Sequence, residues 1–229
     1  MERYNRQILL DEIGEKGQEK LSAARVLIVG AGGLGSPIAL YLAGAGVGKI
    51  GLIDDDVVSE NNLQRQVLYS EKEVGMPKAE RARERLMQLN SSISIISYPF
   101  RLTRDNAADI IGRYDIVVDG CDNFATRYVI NDVCKAQRKP YVYGAIRAFD
   151  GQVSVFNYKG GPDYGMFLPE EETKDMPAPE KGVMGVTPGI VGCVQANEVI
   201  KIICEYGEVL SGQLWSIDLR TMDCYKIEL

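Results

Sequence analysis

The chain has 229 residues, 45% of them apolar, with a formal net charge of −6, enough length to bury one good core. That acidic balance argues against a nucleic-acid carrier, whose affinity comes from neutralising phosphates with Lys and Arg. No histidine occurs anywhere, which excludes Ser–His triads, imidazole bases and histidine metal sites.

Residues 1–24 read as an N-terminal helical arm. "RVLIVG" (25–30) is a β-branched run ending in glycine, as expected of a strand buried on both faces. "GLGSPIALYLAGAG" follows with helical spacing and stops at Gly46, and "KIGLID" (49–54) is a second strand. Pro77 stands where the next helix starts, and "KAERARERLMQLN" carries that helix to Asn90. "SIIS" (94–97) and "YDIVVDG" (114–120) are strands three and four, and "NFATRYVINDVCKAQRK" is an amphipathic helix. "PYVYGAIRAFDGQVSVFNY" reads as two extended runs joined at Asp150-Gly151, a hairpin signal. The Pro-, Gly- and acid-rich residues 159–182 offer little to bury and predict a mobile crossover loop. "TPGIVGCVQANEVIKIIC" (187–204) regains helical spacing, and "LWSIDL" and "CYKIEL" close the sheet. The expected fold is α/β and Rossmann-like: a mixed sheet, parallel in its first half and antiparallel in its last strands, as one domain over 1–229. No apolar run approaches the roughly 20 residues of a membrane span, and the charged start "MERYNRQ" is no signal peptide. A cytoplasmic protein with no nucleic-acid or membrane partner is expected.

"GAGGLG" places Gly30, Gly32 and Gly35 in a G-x-G-x-x-G after a strand and before a helix. Backbone N–H groups there can approach a phosphate at the positive helix end. Asp54, 19 residues beyond Gly35, is the natural ribose acceptor; the alternative is a solvent-facing acid at a strand end. Asp56 is a second candidate in the following loop. Asn61, Asn62, Arg65 and Gln66 cluster on one turn beside that ribose. The Arg65 fork suits phosphate oxygens, with a solvated surface pair as the alternative. Lys78 puts a cation at the positive end of a helix, unfavourable by roughly 0.3–1 kcal/mol unless phosphates lie nearby; the alternative is a surface lysine. "DGCDN" sets Asp119, Asp122 and Asn123 at the carboxyl end of the fourth strand, a donor set suited to Mg²⁺ with substrate phosphates. Asp122 could instead cap the next helix. Two phosphate-seeking cations, a magnesium ligand and a ribose acid describe ATP better than NAD, although an NAD-dependent oxidoreductase shares the glycine motif.

The order "RYNRQI", "GAGGLGSP", "GLIDDDVVSENNLQRQ", "GMPKAE", "DGCDN" resembles the ThiF/MoeB/HesA adenylyltransferases, bacterial relatives of ubiquitin-activating enzymes. The resemblance implies that ATP is attacked at its α-phosphate by the C-terminal Gly-Gly carboxylate of a small ubiquitin-like sulfur-carrier protein. It implies that Gly33 and its neighbours line the phosphates, Asp54 holds the ribose, and Asn62 and Arg65 contact the nucleotide. Lys78 would touch the phosphates and Asp122 would bind Mg²⁺. Arg6 would reach into a partner subunit's site, which implies a homodimer. Without that resemblance, Arg6 is only an exposed cation. Many members hold zinc in two C-x-x-C pairs. Here Asp163 and Met166 stand at the first pair and the tail has one cysteine, so no zinc site is expected. No cysteine occurs from 135 to 192, so covalent capture of the carrier on the crossover loop is not expected either. Cys121, Cys134, Cys193, Cys204 and Cys224 form no C-x-x-C pair and read as buried free thiols. The short chain without zinc cysteines leans towards the thiazole branch of thiamin synthesis. Molybdopterin synthesis, a peptide carboxylate and a non-catalytic dimer partner are the alternatives.

Overall fold

The computed structural model describes residues 2–174, 176 and 182–229. α1 (Asn5–Ile8) and α2 (Gly14–Ala23) precede β1 (Arg25–Val29), α3 (Gly35–Ala45) and β2 (Lys49–Ile53). α3 ends where Gly46 takes φ 84°, the left-handed cap glycine adopts without strain. α4 (Lys78–Leu89), β3 (Ser94–Tyr98), α5 (Arg104–Ile111), β4 (Ile116–Asp119) and α6 (Phe124–Ala136) complete the alternating part. β5 (Tyr141–Arg147) and β6 (Asp150–Phe156) form a hairpin, followed by α7 (Tyr164–Phe167), α8 (Glu170–Thr173), α9 (Val186–Cys204), β7 (Gln213–Asp218) and β8 (Asp223–Glu228). The sequence reading passed over α5. Its signal is the Thr103 cap, closed reciprocally with Asn106.

Among the described residues the eight strands form one sheet in the order β3-β2-β1-β4-β5-β6-β7-β8. β1 to β5 run parallel, and β5 to β8 pair antiparallel, as the sequence pattern predicts. The order reverses between β1 and β4, the switch point at which open α/β sheets bind ligands. β1 explains why its run is apolar throughout. Val26 and Ile28 face a core shared with α3, α4 and α9, while Leu27 and Val29 face a second core under α5 and α6.

α9 corrects the membrane reading. Its 19 residues are long and apolar enough to cross a membrane by length and composition. Here the helix packs on α2, α3, β5 and β6 instead. It also buries Glu198, whose carboxylate pairs with Lys201 at 2.6 Å and accepts the Leu210 N–H at 2.8 Å. Glu198→Ala would strand both partners, and a loss of about 3–5 kcal/mol is expected for breaking a buried pair. Urea unfolding of the two proteins checks this, and a loss below 1 kcal/mol would contradict it.

Three further expectations change. The hairpin turns at Ala148-Phe149, not Asp150-Gly151. Asp150 already pairs with Arg147 in the ladder, and Ala148 adopts the positive φ of 51°. The 159–182 stretch carries two short helices, α7 and α8, and residues 175 and 177–181 lie outside the described ones. Tyr164 is fully buried against Tyr141, Tyr143, Phe156 and Phe167, with ring centroids 5.3–6.2 Å away. Composition understated what two aromatic rings can anchor in a Pro- and Gly-rich segment. Asp163 caps α7 through the Met166 N–H at 3.2 Å and pairs with Lys135 at 2.6 Å. Finally, only Cys134 and Cys204 are buried; Cys121 and Cys193 are half-buried and Cys224 is exposed on the edge strand.

Candidate functional site

β1 leads straight into the glycine turn. Gly30 has φ 94°, and its N–H bonds to the Ile53 carbonyl at 2.8 Å. A Cβ on Gly30 would overlap the Gly120 carbonyl, and one on Gly35 the Gly30 carbonyl. Those two glycines therefore let β1, α3 and the end of β4 meet backbone to backbone. Gly32 and Gly33 serve another purpose, because their open sides face side chains. A Cβ on Gly32 would lie 3.4 Å from the Gln66 amide, and one on Gly33 3.2 Å from Pro188 and 3.6 Å from Arg65 Cδ. The glycine loop, the "NNLQRQ" turn and the start of α9 thus share one wall at the N-terminal end of α3. The first N–H groups of a helix have no partner within it and attract anions.

On the β2 side, Asp54 accepts the Ala31 N–H at 2.7 Å and the Asp56 N–H at 2.9 Å. It ties the glycine turn to the end of β2, and each oxygen keeps a lone pair for a further donor. Burial pushes its carboxyl above the usual carboxylate range, against the pull of those two N–H groups. Lys78 is buried and pairs with Asp56 at 2.6 Å, so the surface-lysine reading is wrong. The same contact, led by the hydrogen bond from Lys78, lowers the Asp56 carboxyl below its usual range. Asp56 therefore already offsets the helix-end cation that the sequence reading explained by phosphates alone. Tyr69 Oη, 2.8 Å from the Ala31 carbonyl and 3.3 Å from that of Lys78, joins the two segments.

Arg65 donates to the Asn61 carbonyl at 3.1 Å and makes no ion pair among the described residues. The surface-pair alternative has no partner there. Asn61 accepts from Ser59 at 2.8 Å and from Asn62 at 2.9 Å, which holds the turn together. Gln66 is buried beside Gly32, and its Oε1 has no hydrogen-bond partner among the described residues.

At the end of β4 the roles separate. Asp119 is fully buried and paired with Arg127 at 2.9 Å, so it is not a free metal ligand. Asp122 is exposed, and among the described residues its one hydrogen bond is from the Asn123 amide at 3.4 Å. Asn123, not Asp122, caps α6 by accepting the Thr126 N–H at 2.9 Å. Among the described residues Asp122 therefore has no cationic partner, and it follows the β4 end that abuts Gly30. One such carboxylate together with phosphate oxygens is the donor set Mg²⁺ commonly takes. Sequence reasoning missed Arg127, Tyr141 and Gln195. Arg127 stands on the apolar face of α6 and Gln195 in the apolar run of α9, and a polar residue inside such a stripe was the available signal.

Arg6 is the predicted residue not brought to this cluster. It is exposed on α1, and its neighbours Tyr4 and Gln7 pack on Gly46 and Ala45 at the far end of α3. The 11 residues of α3 separate the two ends by about 16 Å, so α1 and Arg6 stand at the end of α3 away from the glycine loop.

The chain matches the ThiF family over residues 4–229. It is similar to a probable molybdopterin-synthase adenylyltransferase of Porphyra purpurea, 44% identical over 99% of this chain and 60% of the relative. A mosquito adenylyltransferase and sulfurtransferase, MOCS3 of Aedes aegypti, is 48% identical over 94% of this chain and 50% of its own length. The chain thus spans about half to 60% of these curated relatives. A sulfur carrier protein adenylyltransferase of Thermus thermophilus is 45% identical over 95% of this chain and 83% of its own. Among solved structures, E. coli MccB with ATP superposes with a TM-score of 0.82 at 26% identity, covering 99% of this chain and 71% of that one. From the glycine turn to the closing strands, this chain belongs to the ThiF family.

Proposed function

We propose that this chain is an ATP- and Mg²⁺-dependent adenylyltransferase acting on the C-terminal Gly-Gly carboxylate of a small ubiquitin-like sulfur-carrier protein. One observation carries the reading: Gly33 packs on Arg65, Tyr69 ties the glycine turn to the Lys78–Asp56 segment, and the β4 end that leads to Asp122 abuts Gly30, where the sheet order reverses. In this reaction a carboxylate oxygen forms a bond to the α-phosphorus while the bond to the β-phosphate oxygen breaks. Acyl-adenylate and pyrophosphate result. The nucleophile is already an anion and needs no base, which fits a chain without histidine. The work left to the protein is orientation and charge neutralisation. Gly32 and Gly33 leave the helix-end N–H groups open to the phosphates, Arg65 and Lys78 supply cations, and Asp54 accepts the ribose hydroxyls. Asn61, Asn62 and Gln66 shape the turn over the nucleotide. Asp122 would hold Mg²⁺, which supplies further neutralisation of the phosphates.

The names of the relatives favour a carrier of the molybdopterin-synthase type or one related to the SAMP proteins of Haloferax volcanii over the thiazole branch. ATP, Mg²⁺ and a Gly-Gly-ended carrier of that type should release pyrophosphate. Release that is indifferent to removal of the two terminal glycines would contradict the proposal.

The placement of Arg6 supports a homodimer in which each subunit completes the other's site. An arginine finger is worth roughly 10³–10⁵ in rate by analogy with phosphoryl transfer. Arg6→Ala and Asp122→Ala proteins should each be nearly inactive. Mixed at equal concentration they should recover about a quarter of wild-type pyrophosphate release per site. That figure assumes random exchange of subunits, half of them in mixed dimers with one intact site each. No recovery after confirmed subunit exchange would place Arg6 outside the partner's site.

A further inference from the structure

Behind the exposed Asp122 lies a buried polar assembly that no role assigned so far uses. Asp119, the last residue of β4, is held from three elements. Its carboxylate takes the Arg127 guanidinium from α6 at 2.9 Å and the Tyr141 hydroxyl from β5 at 3.0 Å. Its carbonyl accepts the Gln195 amide from α9 at 2.7 Å. The turn that follows is bound to the same group, because Asp119 Oδ1 accepts the Cys121 N–H at 2.9 Å. Arg127 then spans the turn from below, its second nitrogen 3.2 Å from the Cys121 carbonyl and 3.2 Å from that of Gly144. The Cys121 carbonyl lies one peptide before Asp122.

Breaking such a pair is costly, yet a well-packed apolar replacement is often as stable. Stability alone therefore gives no reason for an arginine here. Its fork does what an apolar side chain could not: it donates to the Asp119 carboxylate and to the Cys121 carbonyl at once. Gly144 admits the Gln195 amide that holds the Asp119 carbonyl, since a Cβ there would overlap it.

We infer that Arg127 is a positioning residue for the reaction, setting the direction of the Asp122 carboxylate through Asp119 and the Cys121 carbonyl. This rests on the proposed adenylation for its kinetic readout, though not for its binding readout. R127K keeps a positive charge beside Asp119 but cannot bridge to both carbonyls. R127M, combined with D119L, replaces the pair by apolar side chains and tests whether packing alone suffices.

The expected result for R127K is a fall in kcat for pyrophosphate release of at least tenfold, with KM for the carrier within twofold. The Mg²⁺ concentration for half-maximal rate should rise at least fivefold. Calorimetric titration with the non-hydrolysable analogue AMPCPP should show the tightening conferred by Mg²⁺ reduced at least fivefold, with Mg²⁺-free affinity unchanged. Melting temperature, measured alongside, should stay near wild type for R127K, and the R127M/D119L protein should fold yet lose the same Mg²⁺ increment. Wild-type Mg²⁺ dependence of both turnover and AMPCPP binding in R127K would overturn the inference. So would a full increment in the folded double variant. If the wild type releases no pyrophosphate with any carrier, the proposed function fails, and the AMPCPP titrations still decide the role of Arg127.

Discussion

Asp122→Ala is expected to lower carrier-dependent pyrophosphate release by about a thousandfold. If Asp122 holds Mg²⁺ as proposed, its loss forfeits several kcal/mol of transition-state charge stabilisation, and about 4 kcal/mol corresponds to a factor of 10³. The fold should not notice. Asp122 is exposed, does not cap α6, and among the described residues hydrogen-bonds only with the Asn123 amide. Exposed substitutions away from caps usually stay within about 0.5 kcal/mol. The measurement pairs turnover at saturating Mg²⁺ with a thermal melt. Activity within tenfold of wild type, or a melt that accounts for the loss, would show that Asp122 has another role.

Arg65→Ala should cost 10²–10³ in kcat, the scale for removing one preorganised donor from a developing charge, and should weaken ATP binding as well. Arg65 packs on Gly33 and has no carboxylate partner among the described residues. Its charge is therefore wholly available to a ligand, whereas Lys78 shares its charge with Asp56 at 2.6 Å. Arg65→Lys should recover only part of the loss, because a lysine cannot offer a bidentate fork. Full recovery by lysine would mean that charge alone matters at this position.

Much of this arrangement is legible in the sequence because local chemistry and global fold agree there. The β-branched run ending at Gly30, the glycine that stops α3 and the alternation of strands and helices each follow from periods and backbone conformations that neighbours fix. The cluster at the switch point follows too, since "GAGGLG", "NNLQRQ" and "DGCDN" all leave or follow the carboxyl ends of β1, β2 and β4. What the sequence conceals is long-range pairing. Nothing local says that Asp119 is spent on Arg127, eight residues on, or that Gln195 returns from α9 to bind its carbonyl. The partnership of Lys78 with Asp56 is equally non-local, and it changes the meaning of a cation at a helix start. Tyr164 shows the same limit in packing: a segment poor in apolar residues is anchored by rings it meets only after folding.

The most direct test of one shared MgATP site is a crystal structure of the protein with AMPCPP and Mg²⁺. The expected result is the phosphate chain over Gly32 and Gly33, with Arg65 and Lys78 on its oxygens, the ribose on Asp54 and the ion held by Asp122. A nucleotide bound elsewhere, or bound there with Arg65, Lys78 and Asp122 out of contact with it, would contradict the account.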